Sequence, residues 1–111
     1  MVITVPVVQG RLSQHFGHCE NFRFYHIDKD KNIIRQEEKT PPPHEPGVLP
    51  KWLSEEGADV IITGGMGMHA QRLFRNYGIE VVMGAPEGDP ACIVEEWLEG
   101  QLQTGENRCD H

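Results

Sequence analysis

The chain has 111 residues, 38% hydrophobic and 24% charged, the proportions of one soluble folded domain and not of a disordered, collagen-like or fibrous chain. Ten Lys and Arg against seventeen Asp and Glu leave a formal net charge of -7, which repels a polyphosphate backbone and disfavours nucleic acid as a partner. Apolar runs fall far short of the roughly 20 residues that cross a bilayer, no basic-then-apolar leader opens the chain, and three cysteines without CxxC spacing suit a reducing compartment, so the expected place is the cytoplasm, away from membranes.

Residues 1–8 are β-branched and apolar nearly throughout, the pattern of a central strand covered on both faces, with Pro6 removing one ladder donor and pointing to a bulge. After a loop at 9–21, the aromatic run 22–27, a turn at 28–32 and the stretch Ile33–Lys39 predict a hairpin. Residues 40–47 hold four prolines, which continue neither a sheet nor a helix interior, and form a linker within the domain. Val48, Leu49, Trp52 and Leu53 recur at helical spacing, with Pro50 in the first turn and Gly57 just past the end. Residues 58–63 read as a short buried strand, and Gly64-Gly65-Met66-Gly67 leads into a second helix whose Ala70, Leu73, Phe74 and Tyr77 share one face before Gly78 stops it. Residues 79–83 supply the last strand. Asp89 then caps, and Pro90 opens, a helix through Leu98 whose inward residues are Ile93, Val94, Trp97 and Leu98. The domain thus occupies residues 1–100, and 101–111 is a polar tail, flexible unless something ties it down.

The order β-β-β-α-β-α-β-α is an α/β class with a mixed five-stranded sheet. If the crossover sets strand 58–63 beside the first strand, strand order reverses between them, and the loops at 9–21 and 64–69 border a crevice.

The first of these loops carries His15, His18 and Cys19 within five residues, and imidazole with thiolate suits zinc, iron-sulfur or copper species better than carboxylates do. The alternative is that His15 bonds within the loop, His18 is solvated and Cys19 starts the core of the next strand. The second loop, Gly64 to Gly67, can present backbone amides to an anion, although it is neither a Walker sequence nor a GxGxxG dinucleotide loop. His69 adds an imidazole near the start of the second helix. Met66 and Met68 serve either as thioether donors or as packing. Cys109 and His111 can meet one metal if the tail folds back, against an incidental terminal thiol. His44 is expected exposed, His26 on a sheet face, and Cys92 packed as a small hydrophobe. The first strand has no acidic residue, and Glu37-Glu38, Glu55-Glu56 and Glu95-Glu96 read as solvated charge, so no catalytic constellation is expected and the protein is read as a non-enzyme.

The run Gly10-Arg11-Leu12-Ser13-Gln14-His15-Phe16-Gly17 leading to Phe22-Arg23-Phe24, the Ala58-Asp59-Val60-Ile61-Ile62-Thr63-Gly64-Gly65-Met66-Gly67 run, and Tyr77-Gly78-Ile79-Glu80-Val81 together resemble the dinitrogenase iron-molybdenum cofactor biosynthesis family, with its NifX-like, NifB carboxyl-terminal and orange-protein-like members. The likeness extends through Leu98, and its most specific parts are the Ser-x-His-Phe-Gly and Gly-Gly-x-Gly loops in this order. It implies a ribonuclease H-like fold with a mixed five-stranded sheet and non-catalytic carriage of an iron-sulfur or iron-molybdenum type cluster, or its precursor, with a cluster-assembly or acceptor protein as partner. On this reading Arg11, Ser13, Gly64, Gly65, Met66 and Gly67 are the candidate cradle, and His15, His18, Cys19, His69, Cys109 and His111 the candidate metal donors. A single mononuclear metal such as zinc, or a small-anion sensor or interaction domain, are the alternatives. The chain is expected to be a single stand-alone domain without an attached radical-enzyme domain, only some relatives share the Cys109-Asp110-His111 tail, and the cargo stays open among iron-sulfur, molybdenum and copper species.

Overall fold

The computed structural model describes residues 1–105 except 44 and 46, with His18 described by its backbone alone. The elements are β1 (Val2–Val8), β2 (Arg11–Leu12), a 3-10 turn (Phe16–His18), β3 (Asn21–Ile27), β4 (Ile33–Lys39), α1 (Val48–Glu55), β5 (Val60–Ile62), α2 (Met68–Asn76), β6 (Glu80–Val82) and α3 (Pro90–Leu98). The main path of the sheet runs β4-β3-β1-β5-β6, and β2 pairs with β1. β1 is antiparallel to β2 and β3 and parallel to β5, which is parallel to β6. The class is α/β as expected, but the sheet has six strands, not five.

The additional strand is β2. Gln9 and Gly10 both have positive φ, 52° and 76°, as a two-residue hairpin turn of the twist-matched kind requires, and they fold Arg11 back beside Val8 and Leu12 beside Val7. Pro6 causes no bulge: the β1–β3 register runs unbroken through Pro6 and Phe22, and the register shift of the hairpin lies between His26 and Ile27 of β3. The reason is placement. β1 pairs with β5 only at Ile3 and Thr4 and with β2 at Val7 and Val8, so Pro6 falls between the two partners, and its carbonyl accepts from the Ser13 amide at 2.8 Å.

Two cores flank the sheet. On one face Ile3, Val5 and Val7 of β1, with Tyr25 and Ile62, pack under Ile93, Val94 and Leu98 of α3. On the other, Phe22, Phe24 and Ile61 pack under Leu49 and Leu53 of α1 and Phe74 of α2. Covering both faces explains why β1 reads as nearly continuous hydrophobe. Past α3, Leu102 lies against the first core, and the Gly105 amide donates to the Gly84 carbonyl at 2.7 Å. Among the described residues no helix is long and apolar enough to cross a membrane.

From β1 the chain builds outward through β3 and β4 on one side, while β5 and β6 lie on the other. Strand order therefore reverses between β1 and β5, and the loops leaving their carboxyl ends face one another.

Candidate functional site

The loop after β1 is shaped by Ser13, which is buried; its hydroxyl donates to the His15 carbonyl at 2.8 Å and accepts from the His15 amide at 3.3 Å. This local turn lays residues 13–16 across the end of β5. The Gly64 amide donates to the Ser13 carbonyl at 3.4 Å and the Phe16 amide to the Gly65 carbonyl at 3.3 Å. A Cβ on Gly64 would lie 2.6 Å from the Gln14 Cα, so glycine is required here by the approach of two backbones. The loop after β6 joins them: the Gly84 amide donates to the Gly64 carbonyl at 3.0 Å, and the Leu12 amide donates to the Gly88 carbonyl at 2.9 Å. Three loops thus meet at one end of the sheet.

Concavities open on both sides of the crossing. One, of about 300 Å³, is lined by Arg11, Ser13, Gln14, His15 and Glu87 among others. The second, also about 300 Å³ and mostly apolar, is lined by Phe16, Gly67, His69, Ala70 and Leu73 together with Glu45, Gly47, Leu49 and Pro50 at the start of α1. His15 is exposed at the first and His69, in the opening turn of α2, at the second. Gly67 is the N-cap of α2 and, having no side chain, caps nothing; the first turn holds no acid. Among the described residues no side chain caps the leading amides of α2, which carry the partial positive charge of the helix start.

The other expected donors lie differently. Met66 is fully buried in the α1–α2 core, with its carbonyl accepting from the Gln71 side chain at 2.8 Å, whereas Met68 is exposed. Cys19 is half-buried against that same core, and burial pushes its thiol up to about 11, so it is protonated at neutral pH. His18 sits in the 3-10 turn with its side chain outside the described residues, as are His44, Cys109 and His111 in full. Among the described residues no three His, Cys, Asp or Glu side chains converge as a metal site would require. Away from the crevice, His26 lies on a sheet face with its Nε2 2.9 Å from Glu37 Oε2. Cys92, expected to pack, is instead exposed, since α3 turns Ile93 and Val94 inward and leaves Cys92 beside that stripe. The pairing of Gly84 with Gly105 has no local signature in the sequence; only the folded chain brings together residues so far apart.

Residues 1–100 match the dinitrogenase iron-molybdenum cofactor family. The chain belongs to that family. The uncharacterized protein MJ0580 of Methanocaldococcus jannaschii is 30% identical over 107 residues, covering 93% of this chain and 90% of that protein. The crystal structure of PH0822 superposes with a TM-score of 0.86 at 28% identity over 94% of each chain. The apo form of the orange protein from Desulfovibrio gigas superposes with a TM-score of 0.73 at 24% identity, over 96% of this chain and 93% of that one. The likeness to these relatives extends over at least nine-tenths of each chain.

Proposed function

We propose that this family member is a non-catalytic cytoplasmic carrier, its sheet of the ribonuclease H-like kind, which holds an iron-sulfur or molybdenum-containing cluster, or a precursor, as cargo at the β1–β5 crevice for an assembly or acceptor protein. The observation that carries the reading is the direct backbone contact of the two loops at Gly64 and Gln14. It brings Arg11, Ser13 and His15 to one side of the crossing and the opening turn of α2 with His69 to the other. An anionic cluster is favoured by a guanidinium and by the positive end of a helix, which offset locally the overall charge of -7. Neutral imidazole suits the iron and copper that such cargo contains. β1 carries no acidic side chain, which speaks against importing nuclease chemistry along with the fold label.

The test is anaerobic reconstitution with iron, sulfide and molybdate, followed by metal analysis of the wild type and of Arg11→Gln, His15→Ala and His69→Ala. Lower metal content in each variant is expected; equal uptake by all three removes these residues from the site. A mononuclear zinc site would instead show one stoichiometric metal without acid-labile sulfide. A small-anion sensor would bind phosphate calorimetrically whether or not chelator is present.

A further inference from the structure

The sheet ends on one side in β4, seven residues long, and among the described residues nothing pairs with its outer edge. An uncovered strand of this length is a template for another strand, and proteins ordinarily blunt it with charge, a bulge or proline. β4 carries such devices: Arg35, Glu37, Glu38 and Lys39 are charged, and the register with β3 skips Ile34. In one arrangement, though, the charges match instead of repelling.

Which backbone groups face outward follows from the hairpin. The Ile27 amide donates away from β4, to the Met1 carbonyl, and the Asp28 amide donates across the turn to the Asn32 carbonyl. Alternation along β3 then turns the amides of Phe22, Phe24 and His26 toward β4, so the residues opposite them, Lys39, Glu37 and Arg35, point inward. Gln36 and Glu38 present amide and carbonyl to the outer edge. A second copy adding antiparallel about a two-fold axis matches outward groups with outward groups only when the axis passes through a residue. Centred on Arg35, Glu37, Glu38 or Lys39, the axis sets like charges face to face. Centred on Ile33 or Ile34, it sets Arg35 against Lys31 or Glu38 against Asp30.

Gln36 is different. With the axis there, Arg35 of each copy faces Glu37 of the other, in the closely spaced kind of pair where side chains approach best. Within one chain Arg35 already donates to Glu37, so the two copies place these groups in alternating sign around the axis. Ile34, 65% exposed in the single chain, comes to lie opposite Glu38 and is covered by its stem.

We propose that β4 is a self-association edge, through which two copies join antiparallel about Gln36 into one continuous sheet held by two reciprocal Arg35–Glu37 ion pairs. β1 lies two strands in from this edge, which sets the two β1 strands about 24 Å apart across the axis at the usual strand spacing. The crevices open at opposite ends of the joined sheet, so the association does not depend on what they hold. A strand pair buries less than the roughly 1,200 Å² of a standard interface, and the dimer is accordingly weak and concentration-dependent.

The test is sedimentation equilibrium of the full chain from about 10 μM to about 1 mM, the range in which weak interfaces populate, with amide hydrogen exchange read by NMR at both ends of it. A closed monomer–dimer equilibrium is expected. The Gln36 and Glu38 amides should slow at high concentration, while those of Arg35, Glu37 and Lys39, already turned to β3, stay unchanged. Arg35→Glu and Glu37→Arg should each weaken dimerisation about tenfold or more, since two opposite-charge pairs become two like-charge pairs. An equimolar mixture of the two variants should recover it, as should the double variant Arg35→Glu/Glu37→Arg, with far-UV dichroism showing that all remain folded. A chain that stays monomeric at about 1 mM overturns the proposal and leaves the edge to a strand of another protein. A dimer that does not slow Gln36 and Glu38, or that ignores the single reversals, uses another surface and overturns it too. Failure of the double variant to recover refutes the Gln36 axis.

Discussion

Gly64 is held by geometry and not by dihedral freedom: the atom a Cβ would strike is the Gln14 Cα, part of a backbone that has no flexible end to swing aside. Gly64→Ala should therefore destabilise the fold by about 1–3 kcal/mol, the usual range for overpacking, read from the urea midpoint, and should weaken cargo loading because the two loops separate. Gly67 has open space around it and caps α2 without a side chain. Gly67→Ser should raise stability by a few tenths of a kcal/mol by capping α2 while lowering cluster uptake, since the new hydroxyl occupies the amides the cargo would use. Opposite signs in the two measurements are the expected result; parallel changes would dissociate those amides from binding. Cys19 gives a pH prediction. The unfolded thiol loses its proton near 9, but burial holds the folded one to about 11, so stability is unaffected below 9 and falls as pH climbs through that interval. Urea midpoints of Cys19→Ala should lack that part of the alkaline decline, and maleimide at pH 8 should react with Cys19 more slowly than with exposed Cys92.

At the scale of elements, α3 shows how local chemistry fixes a boundary. Asp89 stands outside the helix and its carboxylate accepts from the Ala91 amide at 3.0 Å, while Pro90 fills the first turn, where no donor is needed. Asp89→Ala should cost about 1 kcal/mol, seen as a lower thermal midpoint, with Asp89→Asn recovering most of it. Such signals are why all three helices and the longer strands are legible in the sequence: Leu49 and Leu53, or Ile93 and Val94 with Leu98, repeat at the helical period, and residues 22–27 are aromatic-rich and partly alternate. β2 is not legible, because two residues carry no period and its turn rests on Gln9, a residue uncommon at positive φ. The meeting of the 13–16 and 64–67 loops follows from strand order once a parallel crossover is assumed, so the outline of the crevice is readable from sequence. The direction of individual side chains is not: whether Cys19 faces the core or the cargo, and whether Cys92 falls inside or beside the α3 stripe, depends on rotations of one residue that composition does not fix. The pairing of Gly84 with Gly105 is invisible for a different reason, since a contact between two glycines leaves no hydrophobic or charge pattern behind.

For the molecule as a whole, among the described residues the sheet is the structure that the two cores share. Ile3 and Val5 point toward α3, Phe22 and Phe24 toward α1 and α2, and β5 divides in the same way, with Val60 and Ile62 on one face and Ile61 on the other. Neither layer can come away without exposing the back of strands that the other still needs, so the domain should unfold in a single transition. The two tryptophans report on opposite faces. Trp52 meets Phe22 and Phe24 edge-on at 5.7 and 6.0 Å between centroids, whereas Trp97 packs on the α3 side. In chains carrying Trp97→Phe or Trp52→Phe, the remaining fluorescence should give the same urea midpoint as far-UV dichroism. Phe74 is fully buried beneath α2 and far from Trp97 in the layering, and Phe74→Ala should remove about 3–5 kcal/mol. A coupled sheet transmits that loss, so the Trp97 midpoint must move as far as the Trp52 midpoint. A Trp97 transition left in place while that of Trp52 shifts would mean that the α3 layer holds β1 and β3 together by itself, and the crevice would then be built on one stable face and one that opens.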